Sequence, residues 1–337
     1  MEGERLRSIC RRHGHSSISY MTLSPRLDHF TKEGIDGYIA WGKAGGTAVA
    51  LSDPITSADG LGELTAAFRE ERRSKGEKVV FFGVTGRFDQ KFTSLGYHRY
   101  VVGRDSVLDA AAFSLQGNRM QNVRRGCNHA RNTGLEVSEL RADAGMDAFR
   151  EMHDISREWL RLKRTPELEH LVWKLDPAPN PDIRYFVARS AGRIEGFVTY
   201  NPIYATGDWY LDLTRRRQDS VNGVLDCLIV SSMKTLRSEG MGKMYLGMVP
   251  DPGICGMLYR RNCLMNALTR FAACFSELLY PVRGEHFFKE KFRPGWKELF
   301  IFSAEELTAW RVYDILGFVQ PKGLAGVLRH KLSAAIV

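Results

Sequence analysis

An order of elements occurs twice in this chain, and few folds accommodate it. G-Y-I-A-W-G-K-A, a Gly45-Gly46 turn and T-A-V-A-L-S-D-P are followed by a charged amphipathic stretch, Leu61 to Lys75, that stops at Gly76, and then by the apolar run K-V-V-F-F-G-V. In the second half I-R-Y-F-V-A-R-S turns at Ala191-Gly192 into R-I-E-G-F-V-T-Y and continues to D-W-Y-L-D-L. A helical stretch, Val221–Glu239, then leads through Gly240 to M-Y-L-G-M-V-P. Paired glycines between β-rich runs mark a hairpin. Such runs alternating with helical stretches predict an α/β (or α+β) chain built on a mixed sheet. Two copies of one unit are expected, joined near Arg141–Met146, with residues 1–140 as the first, 141–304 as the second and 305–337 as a helical tail. One large mixed domain is the alternative.

Further helices are expected at Ser24–Thr31, Met146–Lys163, Leu258–Leu279 and H-F-F-K-E-K-F. In the tail, Leu324, Val327, Leu328 and Leu332 share a helical face, which suits docking on the protein's own surface or a weak foot on a membrane. No apolar run approaches the ~20 residues that span a bilayer, and the N-terminus lacks the hydrophobic core of a secretion signal. The sequence therefore predicts a cytoplasmic protein with at most peripheral membrane contact.

With 48 Lys and Arg against 39 Asp and Glu, the net charge is +9. That excess favours anionic partners, nucleic acid or lipid surface alike. Cys10, Cys127, Cys227, Cys255, Cys263 and Cys274 form no C-x-x-C pair and fit buried, reduced thiols. No histidine stands at metal spacing, so no metal site is expected; His13 and His15 fit solvated positions.

The densest chemistry lies in Y-L-D-L-T-R-R-R-Q-D-S-V-N-G-V-L-D, Tyr210 to Asp226. A strand entering a helix here presents free backbone N–H groups. Arg215, Arg216 and Arg217 suit phosphate, and Asn222-Gly223 allows close approach of a ligand. A solvated charge run paired with Asp208 and Asp219 is the competing reading. The turn also resembles the pyrophosphate site of acyl-CoA acetyltransferases, but the paired glycines of Q/R-x-x-G-x-G/A are absent.

Six stretches in order resemble the C-terminal catalytic domain of the lysylphosphatidylglycerol synthase family, also called multiple peptide resistance factor. They are A-L-S-D-P-I, S-L-Q-G-N-R-M-Q-N-V-R-R, I-S-R-E-W-L-R-L-K, the arginine-bearing stretch above, Y-L-G-M-V-P and F-F-K-E-K-F-R-P-G-W. The resemblance implies two tandem acetyltransferase-like (GNAT) folds and an aminoacyl-tRNA donor with no separate cofactor. It implies an acceptor that is a phosphatidylglycerol-type lipid, with a small soluble hydroxyl or amine compound as the other candidate. Departures are Thr214 for methionine, Val249 for alanine and an altered P-E-L-E-H-L-V-W segment, all on the acceptor side. An acyl-CoA-dependent N-acyltransferase is the alternative activity.

Transfer from an activated ester needs positioning, proton removal and oxyanion stabilisation. On this reading Asp212 orients the amine or takes the acceptor's proton, Arg215 holds a phosphate or the oxyanion, and Asp226 acts directly or fixes the arginine. Arg216, Asn222, Gly223, Lys289, Lys291 and Trp159 are the substrate-side candidates. Lys289 and Lys291, two apart on a helix, cannot both face the ligand, and the resemblance favours Lys289. Taken by itself, Trp159 suits the core, with Lys163 on the rim, and Trp296 suits the core over base stacking. Arg124, Arg125 and Arg131 form a basic helical stretch suited to an acceptor stem or to exposed ion pairs.

Overall fold

The computed structural model describes residues 2–140, 145–162, 167–250 and 282–320. The helices expected at Leu258–Leu279 and in the tail lie outside these residues, as do Lys163, Cys255, Cys263 and Cys274. The chain begins with α1 (Glu2–His13), a 3-10 turn (Ser19–Leu23), β1 (Asp28–Phe30), β2 (Gly37–Ala44), β3 (Thr47–Leu51) and β4 (Ile55–Thr56). Next come α2 (Gly60–Ser74), β5 (Lys78–Thr85), α3 (Asp89–Ser94), β6 (His98–Asp109), α4 (Gln121–Asn132) and β7 (Glu136–Leu140). The second half holds α5 (Met146–Leu162), β8 (Arg184–Ser190), β9 (Arg193–Ile203), β10 (Asp208–Arg216), α6 (Val224–Ser238) and β11 (Lys243–Pro250). It continues with α7 (Val282–Glu290), β12 (Gly295–Ser303) and α8 (Ala309–Val319).

The repeated order is present, but inside one mixed sheet rather than two. The strands run β1-β2-β3-β5-β12-β6-β11-β10-β9-β8-β7, with β4 paired to β2. In the first half β2 and β3 are antiparallel, and α2 carries the chain over to make β3 and β5 parallel. In the second half β9 and β10 are antiparallel, and α6 makes β10 and β11 parallel. Parallel neighbours need such a crossover. The halves then exchange their last strands: β6 follows β5 in sequence but lies against β11, while β12 follows β11 but lies against β5. β6 and β12 pair with each other at the centre.

Alternation along the strands sorts side chains to two faces. Val80 and Phe82 join α1 and α8 on one face, while Phe81 joins α2 and α3 on the other. In the second half Val187 and Phe197 pack with α5, and Phe186 and Val198 with α4 and α6. Helix α5 buries Ala148, Phe149, Met152 and Ile155, a stripe at helical spacing. Cys10, Cys127 and Cys227 are buried free thiols, as expected. His13 differs from its expected solvated state, because its ring is half-buried and bonds Asp36 at 2.9 Å.

The helix expected at Ser24–Thr31 does not form. Ser24 is extended (φ −60°, ψ 130°), and Asp28–Phe30 pair with Trp41, Ala40 and Ile39 of β2. The pairing satisfies backbone groups a helix would have used, and the His29 ring bonds the Thr22 carbonyl at 2.7 Å. Tertiary context overrides local helix propensity here.

Candidate active site

The parallel strands β10 and β11 pair at only two positions, Trp209 with Met244 and Tyr210 with Tyr245, and then diverge. Both are irregular at that level. The register of β10 on β9 shifts between Leu211 and Thr214, and the Leu213 N–H donates to the Thr199 hydroxyl at 3.1 Å. The register of β11 on β6 shifts between Tyr245 and Gly247, where Gly247 takes φ +94°, a conformation that glycine adopts without strain. A cavity of about 380 Å³ opens at this gap. Its lining comes from both faces of the sheet: Trp159 and Leu168 from the α5 side, Leu225 of α6 and Phe288 of α7 from the other.

The matching gap in the first half is shut. Both oxygens of Asp53, just beyond β3, accept from Thr85 at the end of β5, the backbone N–H at 2.7 Å and the hydroxyl at 2.8 Å. Ile18 fills the space beside Gly83, the positive-φ glycine of β5. The second-half cleft is therefore the candidate site.

Asp212 sits in the β10 irregularity with its carboxylate turned in from solvent. Oδ2 accepts from Asn201 Nδ2 at 3.1 Å and from the Trp173 backbone N–H at 3.0 Å, while Oδ1 is buried without a hydrogen-bond partner among the described residues. Burial pushes this carboxyl up to about 8, outweighing those two hydrogen bonds and the nearby Arg215 charge. Such a group can accept and return a proton near neutrality.

Of the three consecutive arginines, one enters the cleft. Arg215 is buried, its guanidinium 3.8 Å from the centre of the Trp159 ring and ion-paired with Glu167. Arg216 is exposed and bonds the Ser220 hydroxyl at 3.2 Å. Arg217 is held by the Ile194 carbonyl at 2.8 Å and by Glu151 of α5 at 3.0 Å. Period-two alternation turns Arg216 away from Arg215, while Arg217, just past the end of β10, stays on the α5 side but is tied to Glu151. Replacing Arg215 by Ala would strand Glu167 beside the cavity, and thermal unfolding should show a loss of about 2–4 kcal/mol. Arg216→Ala should change stability by less than about 0.5 kcal/mol.

The two lysines diverge, Lys289 lying in the last turn of α7 and Lys291 one residue past its end. Lys289 is buried in the cleft wall, with Nζ donating to the Met248 carbonyl at 3.1 Å and lying 3.6 Å from Glu285. Burial lowers its pKa against the pull of Glu285 and Asp105. Lys291 instead ion-pairs with Asp226 and lies 4.4 Å from the centre of the Phe288 ring. Asp226 thus fixes a lysine, not an arginine, and burial raises its pKa.

The remaining candidates lie away from the cavity lining. Asn222 is exposed. Gly223 caps α6 at φ +93°, and the backbone it approaches is Gly126 of α4, not a ligand. Arg124 turns inward to the carbonyls of Leu115 and Gly117, whereas Arg125 and Arg131 remain exposed on α4. Trp296 is half-buried, 5.2 Å from the His286 ring. Sequence reasoning missed Glu167, Glu285, Asn201 and Trp173. Glu285 stands four residues before Lys289, a helical ion-pair spacing readable in the sequence. Nothing local marks Asn201 or the Trp173 amide, which reach Asp212 only through the fold.

A family model described as "Phosphatidylglycerol lysyltransferase, C-terminal" matches residues 7–303. A phosphatidylglycerol lysyltransferase from Bacillus subtilis (strain 168) is 26% identical over 313 residues, covering 87% of this chain and 34% of that protein. Another from Staphylococcus haemolyticus is 22% identical over 335 residues, covering 97% of this chain and 38% of that protein. The chain thus spans little more than a third of the length of these curated relatives. In fold it is similar to L-PGS from Bacillus licheniformis, with TM-score 0.80, 21% identity and coverage of 94% of this chain and 95% of that one. With its match extending over residues 7–303, the chain belongs to the phosphatidylglycerol lysyltransferase C-terminal family.

Proposed function

We propose that this chain is an aminoacyltransferase domain that moves an amino acid from a charged tRNA to a hydroxyl of an anionic, phosphatidylglycerol-type lipid. The observation that carries this reading is Asp212, its carboxylate turned in at the mouth of the β10–β11 gap with one oxygen unpartnered among the described residues and its carboxyl raised to about 8. The acceptor hydroxyl gives its proton to Asp212, and its oxygen bonds to the ester carbonyl carbon. The oxyanion collapses with cleavage of the bond to the tRNA ribose, whose oxygen takes the proton back. No redox or separate cofactor chemistry enters that balance. Arg215 and Lys289 border the gap as cations suited to the oxyanion or to phosphate, each beside an acidic neighbour.

Apolar walls formed by Leu168, Leu171, Leu225 and Phe288 suit a lipid acceptor over a small polar one. Exposed Arg125 and Arg131 on α4, which packs against α6, suit the tRNA stem on the face opposite α5. The matching strand–helix–strand orders support two tandem GNAT-like units, residues 1–140 and 141–304, with 305–337 as a tail. The chain would work at the cytoplasmic surface of the membrane. Among the described residues no helix is long and apolar enough to cross one.

The test offers the purified protein radiolabelled aminoacyl-tRNA or acetyl-CoA, each with phosphatidylglycerol vesicles or with a soluble polyol. Label moving from tRNA to lipid is the expected result. Transfer from acetyl-CoA alone would refute the donor, and transfer only to the polyol would refute the lipid.

A further inference from the structure

Asp105 lies near the middle of β6, the first-half strand that the exchange places against β11. It is 2% exposed, and one of its carboxylate oxygens has no hydrogen-bond partner among the described residues. A carboxylate so placed in a sheet centre is costly unless a charge compensates it. In register it stands opposite Met248 of β11, whose carbonyl accepts from Lys289, and opposite Lys297 of β12. One residue along, the Ser106 hydroxyl donates to the Gly247 carbonyl at 2.8 Å, and both Lys289 Nζ and the Tyr210 hydroxyl close in on Gly247. Around Lys289 stand Glu285 from its own helix, the Tyr210 phenol from β10, the Met248 carbonyl from β11 and, across the strand register from Met248, Asp105 of β6.

We propose that Asp105 is a positioning residue for the cleft: a carboxylate lent by the first half that keeps Lys289 cationic within the second-half site. Lys289 is buried, and its helical partner Glu285 is partly exposed at 3.6 Å. Solvent screens that pair, whereas Asp105 acts through protein interior. Burial pushes the Asp105 carboxyl up to about 6, with the Ser17 hydroxyl first and then the Lys289 and Lys297 charges pulling it down, so it is ionised at neutral pH, where Lys289 needs a counter-charge. Neither half carries this pair alone. The value of Lys289 to transfer rests on the function proposed above; its protonation state does not, and the experiment reads protonation directly.

Lysine labelled with ¹³C and ¹⁵N at Cε and Nζ is followed by NMR across pH, with the Lys289 resonance assigned by its loss in Lys289→Arg. In Asp105→Asn the Lys289 midpoint should fall by about one pH unit or more, and Asp105→Glu should restore most of it. The coupling is reciprocal, so in Lys289→Met the Asp105 carboxyl, followed by its ¹³C shift, should titrate at higher pH. That second arm decides the matter if Asp105→Asn does not fold. An unchanged Lys289 midpoint in folded Asp105→Asn, or an unchanged Asp105 midpoint in Lys289→Met, overturns the proposal. Absence of aminoacyl transfer would count against the proposed function and leave this result standing.

Discussion

Asp212→Asn should lower kcat for aminoacyl transfer by about 10²–10⁴-fold while making the folded protein more stable at pH 8. The asparagine oxygen still accepts from Asn201 and the Trp173 amide but cannot take a proton. The stability gain follows from the raised carboxyl. With a folded value near 8 against an ordinary 3.8, the folded state holds its proton where the unfolded chain has lost it. This contribution is fully present below pH 3.8, declines as pH rises, and is exhausted above pH 8. Asp53 and Asp105, both raised to about 6 by burial, add a similar decline that ends two units earlier. Wild type should lose stability from pH 4 to 8, and Asp212→Asn should stop losing it near pH 6. Allowing for water in the cavity, the difference at pH 8 is about 3 kcal/mol. Chemical denaturation at pH 5, 6.5 and 8 measures it, and parallel curves for the two proteins would show that Asp212 ionises normally.

Gly223→Ala should be the most damaging small substitution in the second half. At φ +93° any Cβ is strained, and here it would enter the backbone of Gly126, well inside van der Waals contact. Neither helix can yield alone, because α4 and α6 meet at this crossing, and Cys227 donates to the Cys127 carbonyl at 3.3 Å beside it. The expected loss exceeds about 3 kcal/mol, enough to deplete soluble protein. Gly126→Ala meets first the Asp226 carboxylate at 2.7 Å, a side chain able to shift, and should cost about 1–2 kcal/mol. Urea unfolding of the two variants gives the order, and a wild-type midpoint for Gly223→Ala would contradict the packing described.

The repeated hairpin–helix–strand order was legible because each element has its own local signal. The Gly45-Gly46 turn, the Gly76 and Gly240 stops and the Ala191-Gly192 turn all lie at observed boundaries. Strand exchange was not legible, since nothing in His98–Asp109 or Gly295–Ser303 states which neighbour each strand will take. Within the site, Asp212, Arg215, Trp159 and Lys289 were readable as residue types in a resembling pattern, and they converge on one cavity. Arg216 carried the same signal but is turned away by strand alternation, whereas Arg217, Asn222 and Lys291 lie just past the end of β10, before α6 and past α7, where periodicity no longer sets their direction. Glu167, 48 residues before its partner Arg215, could be found only in three dimensions.

The swapped central strands also govern how this chain can be made. β12 is synthesised last among the twelve described strands yet is wedged between β5 and β6, more than 180 positions upstream. Until residue 303 has left the ribosome, the flank of β5 is a bare, apolar strand border, the kind that invites pairing with another nascent chain. Maturation therefore waits on the C-terminal segment, and truncation before β12 should yield aggregate, not a stable amino-terminal fragment.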